Sequence, residues 1–98
     1  MKVAWSPLAD EQVDDAVAYI SADNPAAALV WLGRLLDRTK SLGTFPDSGR
    51  VVPELQREDI REIIVNPYRV MYRRKDDVVE IAAVRHESRE FDESAIAR

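Results

Sequence analysis

Arginine side chains are the groups of this chain best suited to chemistry. In one strand-like run, Arg69 and Arg73 alternate with Val70 and Tyr72, so both arginines point to the same face. We expect that face to be exposed, opposite the face that packs on the core. Exposed guanidinium groups there could bind a carboxylate-rich peptide or phosphates. The basic residues that cluster in the strand-like half of the chain are Arg61, Arg69, Arg73, Arg74, Lys75, Arg85 and Arg89.

The same arginines have a second interpretation, as members of cross-strand ion pairs. Side chains alternate between the two faces of a sheet, and the positions of Glu62 and Glu80 in their strands predict that they share the face of Arg69 and Arg73. Such pairs contribute only ~0.2–1 kcal/mol each and need no external partner. We favour this internal pairing for Arg73 and Arg74, and an external partner for Arg69.

Other kinds of reactive group are scarce. His86 is the one histidine, and the absence of cysteine excludes a disulfide, a thiolate metal site and a cysteine nucleophile. The three glycines lie in unrelated contexts and form no phosphate-binding loop. We interpret Glu58, Asp59 and Glu62 as a solvated charged segment rather than a catalytic carboxylate pair. We therefore expect no metal and no other cofactor, and a surface His86 that hydrogen-bonds locally.

The composition is that of one compact domain. The chain has 98 residues, of which 46% are hydrophobic and 33% charged, and its formal net charge is −4. This length predicts a single domain over residues 1–98. The longest apolar run, Ala26–Leu32, is far shorter than the roughly 20 residues of a membrane helix, and the first residues do not fit the pattern of a secretory signal, so we expect none. We expect a cytoplasmic protein without membrane contact, and the acidic balance argues against direct sequence-specific DNA binding by this chain.

The first half of the chain has the periodicity of two helices. Lys2–Trp5 predicts a short strand, and Ser6-Pro7 then supplies an N-cap and a proline for the first helical position. Apolar residues at helical spacing predict that this first helix ends near Ser21. Asn24-Pro25 repeats the signal and opens a second helix, with Gly43 expected as the residue just past its end. Two helices joined by so short a link form a hairpin.

The second helix carries more apolar residues than one packing stripe requires. Leu29, Val30 and Leu36 lie off the stripe that faces the core. Such a surplus is typical of a groove for a partner helix, although exposed apolar residues are also common in monomers.

After Ile60 the periodicity becomes that of strands. Alternating apolar residues form three runs, separated by tight turns at Asn66-Pro67 and at Lys75–Asp77. Consecutive strands joined by tight turns are antiparallel. The elements together predict an α+β fold, in which an N-terminal strand is followed by a helix hairpin packed on an antiparallel sheet of three to four strands.

Five short motifs follow the helix pair in a particular order. They are Phe45-Pro46-Asp47-Ser48-Gly49-Arg50, Val52-Pro53-Glu54-Leu55, Arg61-Glu62, Pro67-Tyr68-Arg69-Val70-Met71-Tyr72 and Val84-Arg85-His86-Glu87-Ser88-Arg89. In this order they resemble the ParE branch of the RelE/ParE toxin superfamily, from Ser6 to Arg89. The resemblance implies a toxin of a type II toxin–antitoxin system, of the kind linked with plasmid stabilisation. It also implies a cognate ParD-like antitoxin that neutralises the toxin in a hetero-oligomer.

The resemblance allows two toxic activities, mRNA cleavage and gyrase poisoning. RelE-like members cleave mRNA in the ribosome with a cluster of cations, of which only Arg69 is matched here. The other expected cations fall at Ile60, Glu62 and near Glu87, and the expected terminal aromatic falls near Glu93. Carboxylates at such positions would repel the phosphate, which disfavours cleavage. The ParE branch is linked instead to poisoning of DNA gyrase, without being an enzyme, and an inert antitoxin-binding module is a third possibility.

Two sets of residues are assigned to binding on this basis. The antitoxin is expected to bind Leu29, Val30, Leu36, Arg69 and Arg73. The cellular target is expected to bind the C-terminal segment that leaves the sheet, at His86, Arg89 and Phe91. His86 and Arg89 also keep the nuclease alternative open.

Overall fold

The structure of the protein is a computed structural model that describes residues 1–89. In chain order its elements are β1 (Lys2–Trp5), α1 (Pro7–Asp23), α2 (Pro25–Ser41), β2 (Arg50–Val51), β3 (Ile60–Val65), β4 (Tyr68–Lys75) and β5 (Val78–His86). The predicted α+β class, with a helix hairpin packed on a sheet, is confirmed. Phe91 lies outside the described residues.

The sheet has five strands, so the prediction of three to four strands was too low. The strand order is β1-β5-β4-β3-β2. The three predicted strands form the antiparallel centre, and the two-residue β2 adds to the edge of β3. β1 pairs in parallel with β5, so the sheet is mixed rather than wholly antiparallel. A parallel pair is possible here because residues 6–77 supply the long connection that it requires.

Both predicted helix starts are confirmed by their side-chain caps. The Ser6 hydroxyl accepts a hydrogen bond from the backbone N–H of Ala9 at 3.0 Å, and Asn24 Oδ1 accepts one from Ala27 at 3.1 Å. Ser6 also donates to the carbonyl of Ala82 at 3.0 Å, which ties the start of α1 to β5. α1 continues to Asp23, slightly beyond the predicted end near Ser21.

Gly43 follows α2 but does not have the left-handed backbone expected of a glycine past a helix end. Its N–H donates to the carbonyl of Lys40 at 3.1 Å, so the last turn simply tightens. A Cβ at this position would lie 2.5 Å from the carbonyl oxygen of Met1. Close approach of the N-terminus, rather than backbone conformation, is therefore what requires glycine.

The main core lies between the helix hairpin and one face of the sheet. Trp31 and Leu35 of α2 pack there against Val70 and Tyr72 of β4. The indole Nε1 of Trp31 donates to the carbonyl of Val65 at 3.1 Å, which joins α2 to the end of β3. This packing turns the side chains of Arg69 and Arg73, which alternate with the core residues of β4, to the opposite face of the sheet.

Candidate functional site

A buried carboxylate organises the sheet face opposite the helices. The side chain of Glu62 on β3 is 0% exposed, and its two oxygens accept hydrogen bonds from Arg50 Nε and Arg69 Nε, both at 2.7 Å. The remaining nitrogens of Arg69 donate to both oxygens of Glu54 at 2.8 Å each. We call Arg50, Glu54, Glu62 and Arg69 the Glu62 network.

The charges of the Glu62 network compensate one another. Hydrogen bonds from Arg69 lower the pKa of the Glu54 carboxyl below its usual value. Hydrogen bonds accepted by Glu54, and then by Glu62, raise the pKa of Arg69. The formal charges of two arginines and two glutamates therefore balance across β2, β3, β4 and the loop that carries Glu54.

Two predictions for this face were wrong. Glu62 does not belong to a solvated segment, because two arginines and a small apolar cluster around Met71 cover it. The arginine-bearing face is also less open than expected, since Met71 is fully buried there together with Val52 and Ile60.

The arginines of this face are paired within the chain. Arg69, for which an external partner was favoured, is held by Glu54 and Glu62. Arg73 pairs with Glu80 at 2.9 Å, as the internal-pairing interpretation predicted. Arg74, which lies on the other face of β4 with Tyr72, approaches Asp47 at 3.7 Å. An external anion at Arg69 would have to displace the Glu54 carboxylate.

The Glu62 network is poorly suited to phosphate chemistry. A shallow groove of about 290 Å³ beside it is lined by Arg50, Pro53, Glu54, Ile64, Arg69 and Glu87. Its side chains bring two positive and two negative charges, and the buried Glu62 adds a third negative charge. A phosphorane needs surplus positive charge and hydrogen-bond donors that are not already used. This groove has no surplus of positive charge to offer a transition state.

A second groove lies between α1 and the end of β5. We call it the His86 groove; its volume is about 450 Å³, and it is lined by Gln12, Asp15, Ala16, Tyr19, Tyr68, Val84, Arg85, His86, Ser88 and Arg89. The His86 ring meets the Tyr68 ring edge-on with centroids 5.2 Å apart, and that of Tyr19 at 6.2 Å. Burial raises the pKa of Tyr68, so its hydroxyl remains protonated at neutral pH.

His86 and Arg89 lie close together, as expected for residues at the start of one C-terminal segment. The Nδ1 atom of His86 accepts a hydrogen bond from the backbone N–H of Ser88 at 3.1 Å, which confirms the expected local bonding. The backbone N–H of Arg89 donates to the His86 carbonyl at 3.0 Å. The third predicted target-binding residue, Phe91, lies outside the described residues.

The three apolar residues predicted to lie off the core face do so. Leu29 is 73% exposed, Val30 64% and Leu36 51%. Gly33 lies between them on the same side of α2. We call Leu29, Val30, Gly33 and Leu36 the α2 stripe. It is separate from Arg69 and Arg73, which lie beyond the sheet, so the structure does not bring the five predicted antitoxin-binding residues together.

Leu36 also lines a groove that the sequence did not reveal. This β1 groove has a volume of about 500 Å³ and is lined by Met1, Val3, Trp5, Leu36, Thr39, Lys40, Gly43 and Thr44. It runs along β1, which is an edge strand of the sheet. The α2 stripe thus continues into a groove beside a strand edge, where an extended segment can be accommodated.

Several contributors to these surfaces were missed. Glu54 was not recognised as a partner of Arg69, nor Arg50 as a partner of Glu62, because loop and edge positions show no periodicity. Tyr19 and Tyr68 of the His86 groove were missed as well. Tyr19 carried a usable signal, since it is a large aromatic residue off the apolar stripe of α1.

Within residues 1–89, no cluster of three or more histidine, cysteine or acidic side chains could hold a metal ion. In the same part of the chain, no helix is both long enough and apolar enough to cross a membrane.

The fold of this chain matches a solved structure, and its sequence matches a known family. A solved structure of the chromosomal ParDE TA system from P. aeruginosa superposes with a TM-score of 0.71 and 19% sequence identity, over 88% of this chain and 95% of that chain. At that identity the likeness concerns the fold. No curated protein sequence matches significantly. Residues 3–91 match the family model described as the ParE toxin of the type II toxin–antitoxin system parDE. The chain therefore belongs to the ParE toxin family.

Proposed function

We propose that this chain is the toxin of a toxin–antitoxin pair and that a cognate ParD-like antitoxin neutralises it by binding the α2 stripe. The observation that carries this proposal is the exposure of Leu29, Val30 and Leu36 along one helix. Burying three such side chains gives roughly 1.5–3 kcal/mol each, which supports a stable hetero-oligomer.

The shape of the surface supports an antitoxin with two kinds of segment. The α2 stripe fits an amphipathic helix, whereas the β1 groove fits an extended stretch that runs beside the edge of the sheet. Leu36 belongs to both surfaces, so a helix can lead directly into an extended segment. Arg69 and Arg73 are a separate contact on the far face, which the antitoxin reaches only by wrapping around the sheet.

We propose DNA gyrase as the cellular target, because the ParE branch is generally linked to inhibition of this enzyme. The neutral Glu62 network supports this choice over RNA cleavage, since it lacks the surplus cations that cleavage needs. The C-terminal segment with His86, Arg89 and Phe91 is the proposed contact with gyrase. Under this proposal the toxin is a cytoplasmic, one-domain protein that is not itself an enzyme and that acts without a cofactor.

The second candidate activity is ribosome-dependent mRNA cleavage, and one observation favours it. The His86 groove brings an imidazole, the hydroxyl of Tyr68 and the guanidinium of Arg89 to one place. These are groups that can transfer protons and stabilise negative charge. The carboxylate of Asp15 in the same groove opposes the binding of phosphate.

Inducible expression of the chain alone in bacteria tests these proposals. Growth arrest with a DNA damage response is the expected result, and co-expression of the protein encoded by the adjacent gene should relieve it. Growth arrest with cut mRNAs and no DNA damage would support mRNA cleavage instead of gyrase inhibition. Normal growth despite high expression of soluble protein would indicate that the chain is an inert antitoxin-binding module.

A further inference from the structure

Gly33 lies in the exposed interior of α2, where the chain itself gives no reason for glycine. A Cβ at this position would meet nothing within 4 Å beyond its own chain neighbours and the nearby backbone of α2, and the backbone is not in the left-handed region. Glycine in a helix interior is less stable than alanine. Neither internal packing nor backbone conformation within residues 1–89 therefore accounts for it.

Gly33 is at the centre of the α2 stripe. Leu29, Gly33 and Leu36 follow the i, i+4, i+7 spacing of one helix face. The two leucines stand out from the helix on either side of a position without a side chain. The backbone of α2 is accessible there, and a second backbone can approach more closely than elsewhere on the helix.

The charges next to the α2 stripe are mostly basic. Arg34 and Lys40 are exposed beside the stripe together with one acid, Asp37, whereas Arg38 points toward the sheet, where its Nη1 donates to the carbonyl of Ile64 at 3.0 Å. α1 has the opposite character, since it contains five acidic residues and no lysine or arginine. A helix seated on the α2 stripe would therefore be favoured by acidic side chains along its edges.

We propose that an antitoxin helix crosses α2 at Gly33, with its backbone against the glycine and its acidic side chains toward Arg34 and Lys40. The apolar side chains of that helix would fill the spaces beside Leu29 and Leu36. This inference rests on the proposed function, and it adds the crossing point and the charge of the partner helix.

A second copy of this chain is a poorer occupant of the stripe. Its own α2 would bring basic residues against basic residues. Its α1 is acidic, but Leu8 and Tyr19, the large exposed apolar residues of α1, are about 16 Å apart along the helix. They do not form a continuous apolar stripe.

The test measures binding of the full chain to the protein encoded by the adjacent gene. Gly33→Leu should weaken binding at least about tenfold, because the new side chain occupies the closest contact. Ala18→Leu is the matched control, since it places the same side chain on the exposed face of α1 and should leave affinity unchanged. Arg34→Glu should weaken binding, whereas Lys75→Glu at the β4–β5 turn should not.

Gly33→Ala separates binding from folding. In the free toxin this substitution should raise the melting temperature by about 4–8 °C, because alanine is the better helix former. Equal affinities of wild type, Gly33→Leu and Ala18→Leu would overturn the crossing at Gly33 while leaving the proposed function intact. Failure of the wild-type chain to bind would overturn both. Self-association that Gly33→Leu abolishes would place a second copy on the stripe instead.

Discussion

Arg69 donates two hydrogen bonds of 2.8 Å to the carboxylate of Glu54, while its Nε donates to the buried Glu62. The arginine that the sequence singled out as a binding group is thus already engaged on two sides by the chain's own carboxylates. It ties the loop after β2 to the centre of the sheet. We expect its substitution to affect stability more than toxicity.

The first prediction concerns Glu62 itself. Glu62→Gln keeps the shape of the side chain but removes the buried negative charge that faces Arg50, which is 59% exposed, and Arg69, which is 12% exposed. We expect the free energy of unfolding to fall by about 2–4 kcal/mol, measured by urea denaturation. Glu58→Gln, at an exposed position nearby, should change it little. Equal stabilities of the two variants would show that the buried charge needs no compensation.

The second prediction is a pH dependence of stability that comes from Glu54. Its pKa is lowered in the folded state, so the unfolded chain binds more protons as the solution is acidified. The contribution of Glu54 is present above its ordinary pKa of 4.5 and is lost as the pH falls through the lower folded value. Glu54→Gln should therefore flatten the decline in stability below about pH 5. An unchanged curve for this variant, with Glu58→Gln as control, would contradict the assignment.

The third prediction separates the two toxic activities through Arg69. If the chain cleaved RNA, Arg69→Ala would remove about 2–4 kcal/mol of transition-state stabilisation and abolish the cuts. If it inhibits gyrase, growth arrest should persist as long as the variant folds, which circular dichroism can verify. Complete loss of toxicity in a folded Arg69→Ala variant would count against the gyrase proposal.

The fourth prediction concerns the C-terminal segment. Truncation directly after Arg85 would remove His86, which packs on Tyr68, and the Glu87 N–H, which donates to the Pro67 carbonyl at 2.9 Å. Truncation after Arg89 keeps these contacts and removes Phe91. We expect this shorter chain to fold and to bind the antitoxin but to lose toxicity in cells. Full toxicity of the truncated chain would place the target contact elsewhere.

The periodicity of the sequence predicted most of the fold, but not the strand pairing at the edges of the sheet or the contacts between distant residues. Ser6, Asn24 and the alternation in β4 are local signals, so the helix starts and the face of Arg69 followed directly from them. The pairing of β1 with β5 spans almost the whole chain and has no local signal. Gly43 shows the same limit, because the reason for glycine there is a contact with distant Met1.

The candidate site was predictable where it depended on single elements. The exposure of Leu29, Val30 and Leu36 follows from helical geometry. The internal pairing of Arg73 with Glu80 follows from the alternation of side chains along the strands. The burial of Glu62 was not predictable, since it depends on Arg50 and on a loop that folds back over the sheet.

A cleavage assay with purified DNA gyrase, supercoiled plasmid and the full-length chain tests the proposed function most directly. We predict that the toxin causes linear, gyrase-bound DNA to accumulate, and that prior addition of the antitoxin prevents this. The Arg69→Ala variant should act like the wild type, and the chain truncated after Arg89 should be inactive. Unchanged gyrase activity at saturating, folded toxin, together with cut mRNA in translating ribosomes, would contradict the proposal.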